Sequence, residues 1–99
     1  MGDIVAIKRT RTFAFRGKKF EVDVAAAHSA RVYKAINLID TPGHQAAGWE
    51  AYDRLFCGHV DEYMDNVPPK DGEDAPYGAT LDDFRELVAA AVEAANAKN

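Results

Sequence analysis

The chain has little cysteine and no long apolar run. Its single cysteine, Cys57, cannot form an internal disulfide bond, which is typical of proteins from a reducing compartment. No segment approaches the roughly 18 apolar residues that a membrane-spanning helix needs. The N-terminus also lacks the apolar stretch of a signal peptide. These absences predict a cytoplasmic protein that does not enter a membrane.

Motifs for catalysis and cofactor binding are also lacking. The segment Asp40-Thr41-Pro42-Gly43 resembles an element of translational GTPases, but no Gly-x-x-x-x-Gly-Lys-Ser/Thr loop or Asn-Lys-x-Asp motif accompanies it. No Cys-x-x-Cys or His-Glu-x-x-His pattern for zinc occurs. The carboxylates near Cys57, on Asp53, Asp61 and Glu62, should raise the pKa of its thiol. We therefore predict a non-enzymatic protein without catalytic, cofactor-binding or metal-binding residues.

The size and composition are those of one globular domain spanning residues 1–99. Apolar residues make up 47% of the chain and charged residues 28%, as in ordinary soluble proteins. The net charge of −4 is unevenly distributed, because residues 1–34 carry +5 and residues 35–99 carry −9. A chain with this polarity can associate head to tail. The simpler interpretation is that the charges only keep the surface hydrated.

Alternating apolar residues predict an N-terminal β-hairpin over residues 7–24. Its strands should run from about Ile7 to Arg16 and from Lys19 to Val24. A type II′ turn at Gly17-Lys18 would need glycine first, and it would pair Phe15 with Phe20. One face of this hairpin would be apolar, so it should pack on helices.

The rest of the chain is predicted to be helical, in an α+β fold with the hairpin packed on three or four helices. The helical body covers residues 26–65, with one helix over 26–39 and another that begins at Pro42 or His44 and ends at Met64. Ser29 could instead cap a later start, and Gly58 could split the second helix. Prolines and glycines predict a loop over residues 66–79. A last helix, over residues 80–96, should begin at the cap Thr80. Its buried face should consist of Leu81, Phe84, Val88, Ala91 and Ala95, widened by Leu87 and Val92.

Two sets of residues are candidates for binding. Aromatic side chains recur at helical spacing along the second helix, and they form either part of the core or a protein interface: Trp49, Tyr52, Phe56 and Tyr63. Basic residues cluster in the hairpin and could contact nucleic acid as a β-ribbon: Arg9, Arg11, Arg16, Lys18 and Lys19. Because the chain is acidic overall, we expect the hairpin to cover the helices rather than bind nucleic acid.

The order of these elements resembles the tail assembly chaperones of long-tailed bacteriophages and prophages, especially those of actinobacterial hosts. The resemblance comprises a Phe-x-Phe-x-Gly-Lys-x-Phe hairpin over Phe13–Phe20, an acidic loop rich in proline and glycine, and a helix that opens Thr-Leu-Asp-Asp-Phe at Thr80–Phe84. It implies a homo-oligomeric chaperone in the host cytoplasm, with the tape measure protein and the tail tube protein as partners. The motifs transfer no site residues. A small nucleic-acid-binding regulator is the alternative function.

Overall fold

The computed structural model describes residues 9–97. Within them, a two-stranded antiparallel hairpin precedes five helices. The elements in chain order are β1 (Thr10–Phe15), β2 (Lys18–Asp23), α1 (Val24–Ala27), α2 (Ala30–Asn37), α3 (Gln45–Leu55), α4 (Val60–Asn66) and α5 (Leu81–Asn96). The predicted α+β class, mostly helical, is confirmed. The predicted start of the first strand, at residues 7–8, lies outside the described residues.

The hairpin turn differs from the prediction by one position. Phe15 lies opposite Lys18, and Phe13 lies opposite Phe20. The turn residues are therefore Arg16 and Gly17, whose φ angles of 50° and 80° are those of a type I′ turn. The predicted type II′ turn and the pairing of Phe15 with Phe20 are wrong. Because the pairing moves by two residues, each side chain keeps its predicted face, and Phe20 is buried.

The predicted helix over residues 26–39 is broken into α1 and α2. The carboxylate of Asp23 accepts a hydrogen bond from the N–H of Ala26 and caps α1, and the hydroxyl of Ser29 accepts one from the N–H of Val32 and caps α2. The alternative start at Ser29 is confirmed. Tyr33 of α2 is 72% exposed.

The helix predicted over residues 42–64 is also divided. Helix α3 begins at Gln45, and Pro42 precedes it in a turn closed by the hydrogen bond from the N–H of His44 to the carbonyl of Thr41. Cys57 and Gly58 both have positive φ, at 61° and 85°, which ends the right-handed helix. The predicted interruption at Gly58 is confirmed.

Helix α5 follows a stretch without helix or strand, over residues 67–80. The hydroxyl of Thr80 accepts a hydrogen bond from the N–H of Asp83, so the predicted cap is confirmed. Leu81 is 65% exposed, and its assignment to the buried face is wrong. It is the first helical residue, and the buried face begins at Asp83 and Phe84.

The core lies between the hairpin, α5 and the α3–α4 pair. Its buried members are Phe20, Val22, Leu55, Phe56, Val60, Val67, Phe84, Leu87, Ala91 and Ala95. Phe56 connects two parts of it, because its ring lies 6.0 Å from that of Phe84 and 5.6 Å from that of Tyr63. Among residues 9–97, no helix combines the length and the apolar character needed to cross a membrane.

Candidate protein-interaction groove

The predicted aromatic stripe is divided between three places. Phe56 has no exposed surface and belongs to the core. Tyr63 packs its ring 5.0 Å from that of Phe20, and its hydroxyl accepts a hydrogen bond of 3.0 Å from the N–H of Glu21. Trp49 is 39% exposed, and Tyr52 is half-buried. Only these last two form part of one apolar surface.

That surface is a groove of about 380 Å³ between the C-terminal end of α2, α3 and the first turns of α5. Its apolar lining consists of Ile36, Ile39, Trp49, Tyr52, Leu81 and Phe84. Phe84 is buried, whereas Trp49 and Leu81 are both exposed. Two large exposed apolar side chains therefore lie beside a buried aromatic ring.

Ring packing holds the groove in shape. The ring centroid of Phe84 lies 5.0 Å from that of Tyr52 and 5.7 Å from that of Trp49, distances at which aromatic pairs attract. Burial raises the pKa of the Tyr52 hydroxyl. The nearby charges of Arg85 and Asp40 act on that pKa in opposite directions, so the groove carries one charge of each sign.

Gly48 allows Ile39 to approach α3. A Cβ atom at Gly48 would lie 2.5 Å from Cγ1 of Ile39 and 2.7 Å from its Cβ, far inside van der Waals contact. Any larger residue would therefore push Ile39 and the end of α2 away from α3. The width of the groove depends on this glycine.

Sequence reasoning missed most of the groove. Ile39 and Arg85 carried no signal, Ile36 was predicted only as an apolar residue of the helix over residues 26–39, and Leu81 was assigned to the buried face of the last helix. The periodicity of a single helix cannot reveal a groove that three elements build together. The spacing of Trp49 and Tyr52 did identify two residues of its lining.

The basic residues of the hairpin mostly contact acceptors of their own chain. Arg9 pairs with Asp23 at 3.0 Å. Arg11 donates hydrogen bonds of 2.7 and 2.9 Å to the carbonyls of Ala94 and Ala97 at the end of α5, where a cation complements the helix dipole. Lys18 contacts the side-chain oxygen of Asn66 at 3.1 Å, and Lys19 is exposed.

Arg16 is the most enclosed of the five predicted basic residues. Its Nη1 donates to Oδ1 of Asp83 at 2.8 Å and to the carbonyl of Pro68 at 2.9 Å. Its Nη2 lies 3.2 Å from Oε1 of Glu86. The group connects the hairpin turn, the loop after α4 and the first turn of α5, and its role is structural.

The carboxyl of Glu73 completes this cluster. A hydrogen bond with the side chain of Glu73 is the largest influence that lowers the pKa of Asp83 to about 2, and Arg16 and Thr80 add to it. The same contact raises the pKa of Glu73. Oε1 of Glu73 and Oδ2 of Asp83 are both buried and have no other hydrogen-bond partner among the described residues, so a proton on Glu73 would let this loop residue donate to α5.

Further clefts lie near α3 and α4. The larger, of about 700 Å³, shares Trp49 with the groove and includes four acidic residues in its lining. Two of these have local roles, because Glu50 pairs with Arg54 and Asp53 accepts from the N–H of Val60. Residues 9–97 contain no group of three or more side chains arranged to hold a metal ion.

A second cleft contains Cys57. Burial is the largest cause that raises the pKa of its thiol, followed by the charges of Glu21 and Asp23. The predicted direction is confirmed. The acidic neighbours responsible belong to β2 rather than to the flanking helices.

Comparison of the chain with family models, curated proteins and solved structures found no match. Function is therefore inferred from the groove and from the resemblance in layout.

Proposed function

We propose that the protein is a non-catalytic assembly chaperone that holds an apolar helical segment of a partner polypeptide in the groove between α2, α3 and α5. The single observation that carries this proposal is the exposure of Trp49 and Leu81 beside the buried ring of Phe84. Tryptophan is enriched among the residues that dominate binding energy at protein interfaces.

The dimensions of the groove favour side chains over a whole cofactor. A volume of about 380 Å³ is at the lower end of the range for small-molecule pockets. Amphipathic helices bind in such grooves through apolar residues at positions i, i+3, i+4 and i+7. Asp40 and Arg85 would contact polar residues of opposite charge at the margin of that helix.

The resemblance in layout supplies the partner. The tape measure protein of long-tailed phages is a long helical polypeptide that must stay soluble until the tail tube protein polymerises around it. In this proposal the chaperone acts in the host cytoplasm, covers apolar stretches of the tape measure protein and is displaced by the tail tube protein. Neither role requires a reacting group on the chaperone.

Trp49 is the only tryptophan of the chain and it lines the groove, so its fluorescence should respond to a peptide bound there. Helical peptides from the partner tape measure protein should shift its emission to the blue in a saturable titration. Leu81→Asp places a charge in the groove at an exposed position in the first turn of α5, where an acidic residue suits the helix dipole. This variant should weaken peptide binding at least about tenfold.

Tyr77→Asp is the matched control, because Tyr77 is 97% exposed and is not part of the groove lining. It should bind the peptides as the unchanged protein does. Binding that leaves Trp49 emission unaltered, or that survives Leu81→Asp at full affinity, would refute the groove as the binding site.

A nucleic-acid-binding regulator is the alternative function, but no observation favours it. Contacts to the chain's own acceptors engage four of the five predicted basic residues: Arg9, Arg11, Arg16 and Lys18. Retention of the protein on DNA, weakening steeply with added salt, would support this alternative and contradict the chaperone.

A further inference from the structure

The outer edge of β1 is open in the described part of the chain. The two residues that flank a two-residue hairpin turn exchange backbone hydrogen bonds with each other. Along the strands, such hydrogen-bonded pairs alternate with pairs whose N–H and C=O groups point away from the partner strand. Because Phe15 and Lys18 flank the turn, the backbone groups of Phe13 and Phe15 point toward β2. Those of Thr12 and Ala14 point outward.

The opposite edge of the hairpin supports this alternation. Glu21 pairs with Thr12, so its N–H should also point outward, and it does, donating to the hydroxyl of Tyr63. Tyr63 thus covers part of the β2 edge. No hydrogen bond within residues 9–97 satisfies the outward N–H and C=O groups of Thr12 or Ala14.

The β1 edge also lacks the features that protect edge strands. Natural proteins guard such edges with charged side chains, above all lysine, or with proline, bulges or very short strands. Arg11 is the one charged residue of β1, and its guanidinium is bound to carbonyls of α5. Here the strand has six residues, and the exposed side chains on it are those of Thr12 and Ala14. Phe13 and Phe15, which pack at the border of the core, are only half-buried.

We infer that two copies of the chain pair through their β1 strands, antiparallel about a two-fold axis at Phe13, and form a continuous four-stranded sheet. In this register Thr12 of each copy exchanges backbone hydrogen bonds with Ala14 of the other. Phe13 lies directly opposite its own copy, where aromatic pairs stabilise a sheet. A two-stranded sheet gains most from added strands, because alone it is marginally stable.

Charge and symmetry favour a second copy as the occupant. The arginines on and beside β1 would repel their copies if they were free, but Arg9, Arg11 and Arg16 each contact acceptors of their own chain. A two-fold axis satisfies both open edges with one contact. The pairing spans five residues a side, far fewer than the roughly 20–30 of a standard interface, so the dimer is weak and reversible.

Sedimentation equilibrium from micromolar to millimolar concentration tests the pairing. The unchanged protein should show a monomer–dimer equilibrium. Thr12→Pro removes one outward N–H that the hairpin does not use, and it should raise the dimer Kd at least about tenfold. Thr12→Ala keeps that N–H and should dimerise normally. A monomer throughout this range, or equal dimerisation of Thr12→Pro, would overturn the inference.

Amide hydrogen exchange provides a readout that does not depend on the proline variant folding. Protection of the N–H groups of Thr12 and Ala14 should increase with protein concentration, whereas protection of Phe13, already bonded to β2, should not. Outward amides that exchange equally fast at every concentration would contradict the pairing.

Disulfide trapping tests the register. Two variants, Thr12→Cys and Ala14→Cys, are made in a chain that also carries Cys57→Ser, and the two are mixed. They should cross-link to each other, because residues 12 and 14 of opposite copies face each other at a Cα separation of about 5.5 Å. Either variant alone should cross-link more slowly, since its copies lie diagonally at about 7–8 Å. Faster cross-linking of Thr12→Cys with itself would refute the axis at Phe13.

The outcomes of these three experiments do not depend on the groove, so the dimer and the chaperone proposal can fail separately.

Discussion

The guanidinium of Arg16 donates a hydrogen bond of 2.8 Å to the carboxylate of Asp83, which has no exposed surface. This contact joins the hairpin turn to the first turn of α5. Arg16 holds this contact in an unfavourable backbone conformation. Its φ is 50°, a value that asparagine and glycine adopt more easily than arginine. The side chain, rather than the turn, therefore explains why arginine occupies this position.

Loss of the Arg16 side-chain charge should strongly destabilise the fold. Arg16→Met leaves the carboxylate of Asp83 buried without its cation, which is among the more damaging kinds of substitution. Arg9→Met removes a largely exposed ion pair and should cost no more than about 1 kcal/mol. Urea denaturation of the two variants measures the difference, and equal midpoints would show that the Arg16 contact contributes little.

The Glu73–Asp83 pair should give stability two opposite pH dependences. The folded-state pKa of Asp83 is depressed from 3.8 to about 2, so its contribution is present above pH 3.8 and is lost as the pH falls toward 2. The pKa of Glu73 is raised above its usual 4.5, so its contribution is present below pH 4.5 and is lost as the pH rises through the raised pKa.

Glu73→Gln isolates the second dependence. Its amide donates to Asp83 at every pH, so the loss of stability above pH 4.5 should disappear while the loss toward pH 2 remains. Denaturation midpoints measured across the acid range compare the two proteins. Parallel pH profiles for both would mean that Glu73 does not share a proton with Asp83.

Gly48→Ala should destabilise the protein although alanine favours helices. Helix propensity alone predicts a gain of about 1 kcal/mol. The added methyl group would overlap Ile39, however, and such overpacking costs about 1–3 kcal/mol. Thermal unfolding measures the balance, and Ile39→Ala in the same chain should recover part of the loss. A more stable Gly48→Ala protein would show that Ile39 moves aside freely.

Cys57 should react slowly with thiol reagents. Burial and the charges of Glu21 and Asp23 raise its pKa, so less thiolate is present at neutral pH than in an unstructured peptide. Iodoacetamide modification followed by mass spectrometry should be slower in the folded protein than in urea, and it should accelerate with pH. Equal rates in both states would contradict the raised pKa.

The parts of the fold that depend on residues close to one another in the sequence could be predicted. The Thr80 cap followed from residue type and spacing, and so did the faces of the hairpin. The turn type did not, because Gly17-Lys18 and Arg16-Gly17 both suit a two-residue turn, and the contact of Arg16 with Asp83, 67 residues away, is invisible in the local sequence. Ser29 was recognised as a possible cap, but only packing decides whether a helix continues through it.

The candidate groove was less accessible to prediction. Trp49 and Tyr52 share a helical stripe with Phe56, yet periodicity does not reveal which member a neighbouring helix covers. Helix α5 buries Phe56 against Phe84 and leaves Trp49 partly open. Leu81 belongs to α5, far from Trp49 in the sequence, and only the packing of α5 beside α3 brings both side chains into the lining of the groove. Tertiary contacts, rather than local pattern, create the surface.

The contact of Arg11 with the last carbonyls of α5 spans 83 residues or more, and it constrains biosynthesis. The hairpin leaves the ribosome before α5, which is the last of the described elements to be made. Until α5 emerges, the rings of Phe13 and Phe20 lack part of the apolar layer on which they pack. The native core can therefore form only after α5 has been synthesised.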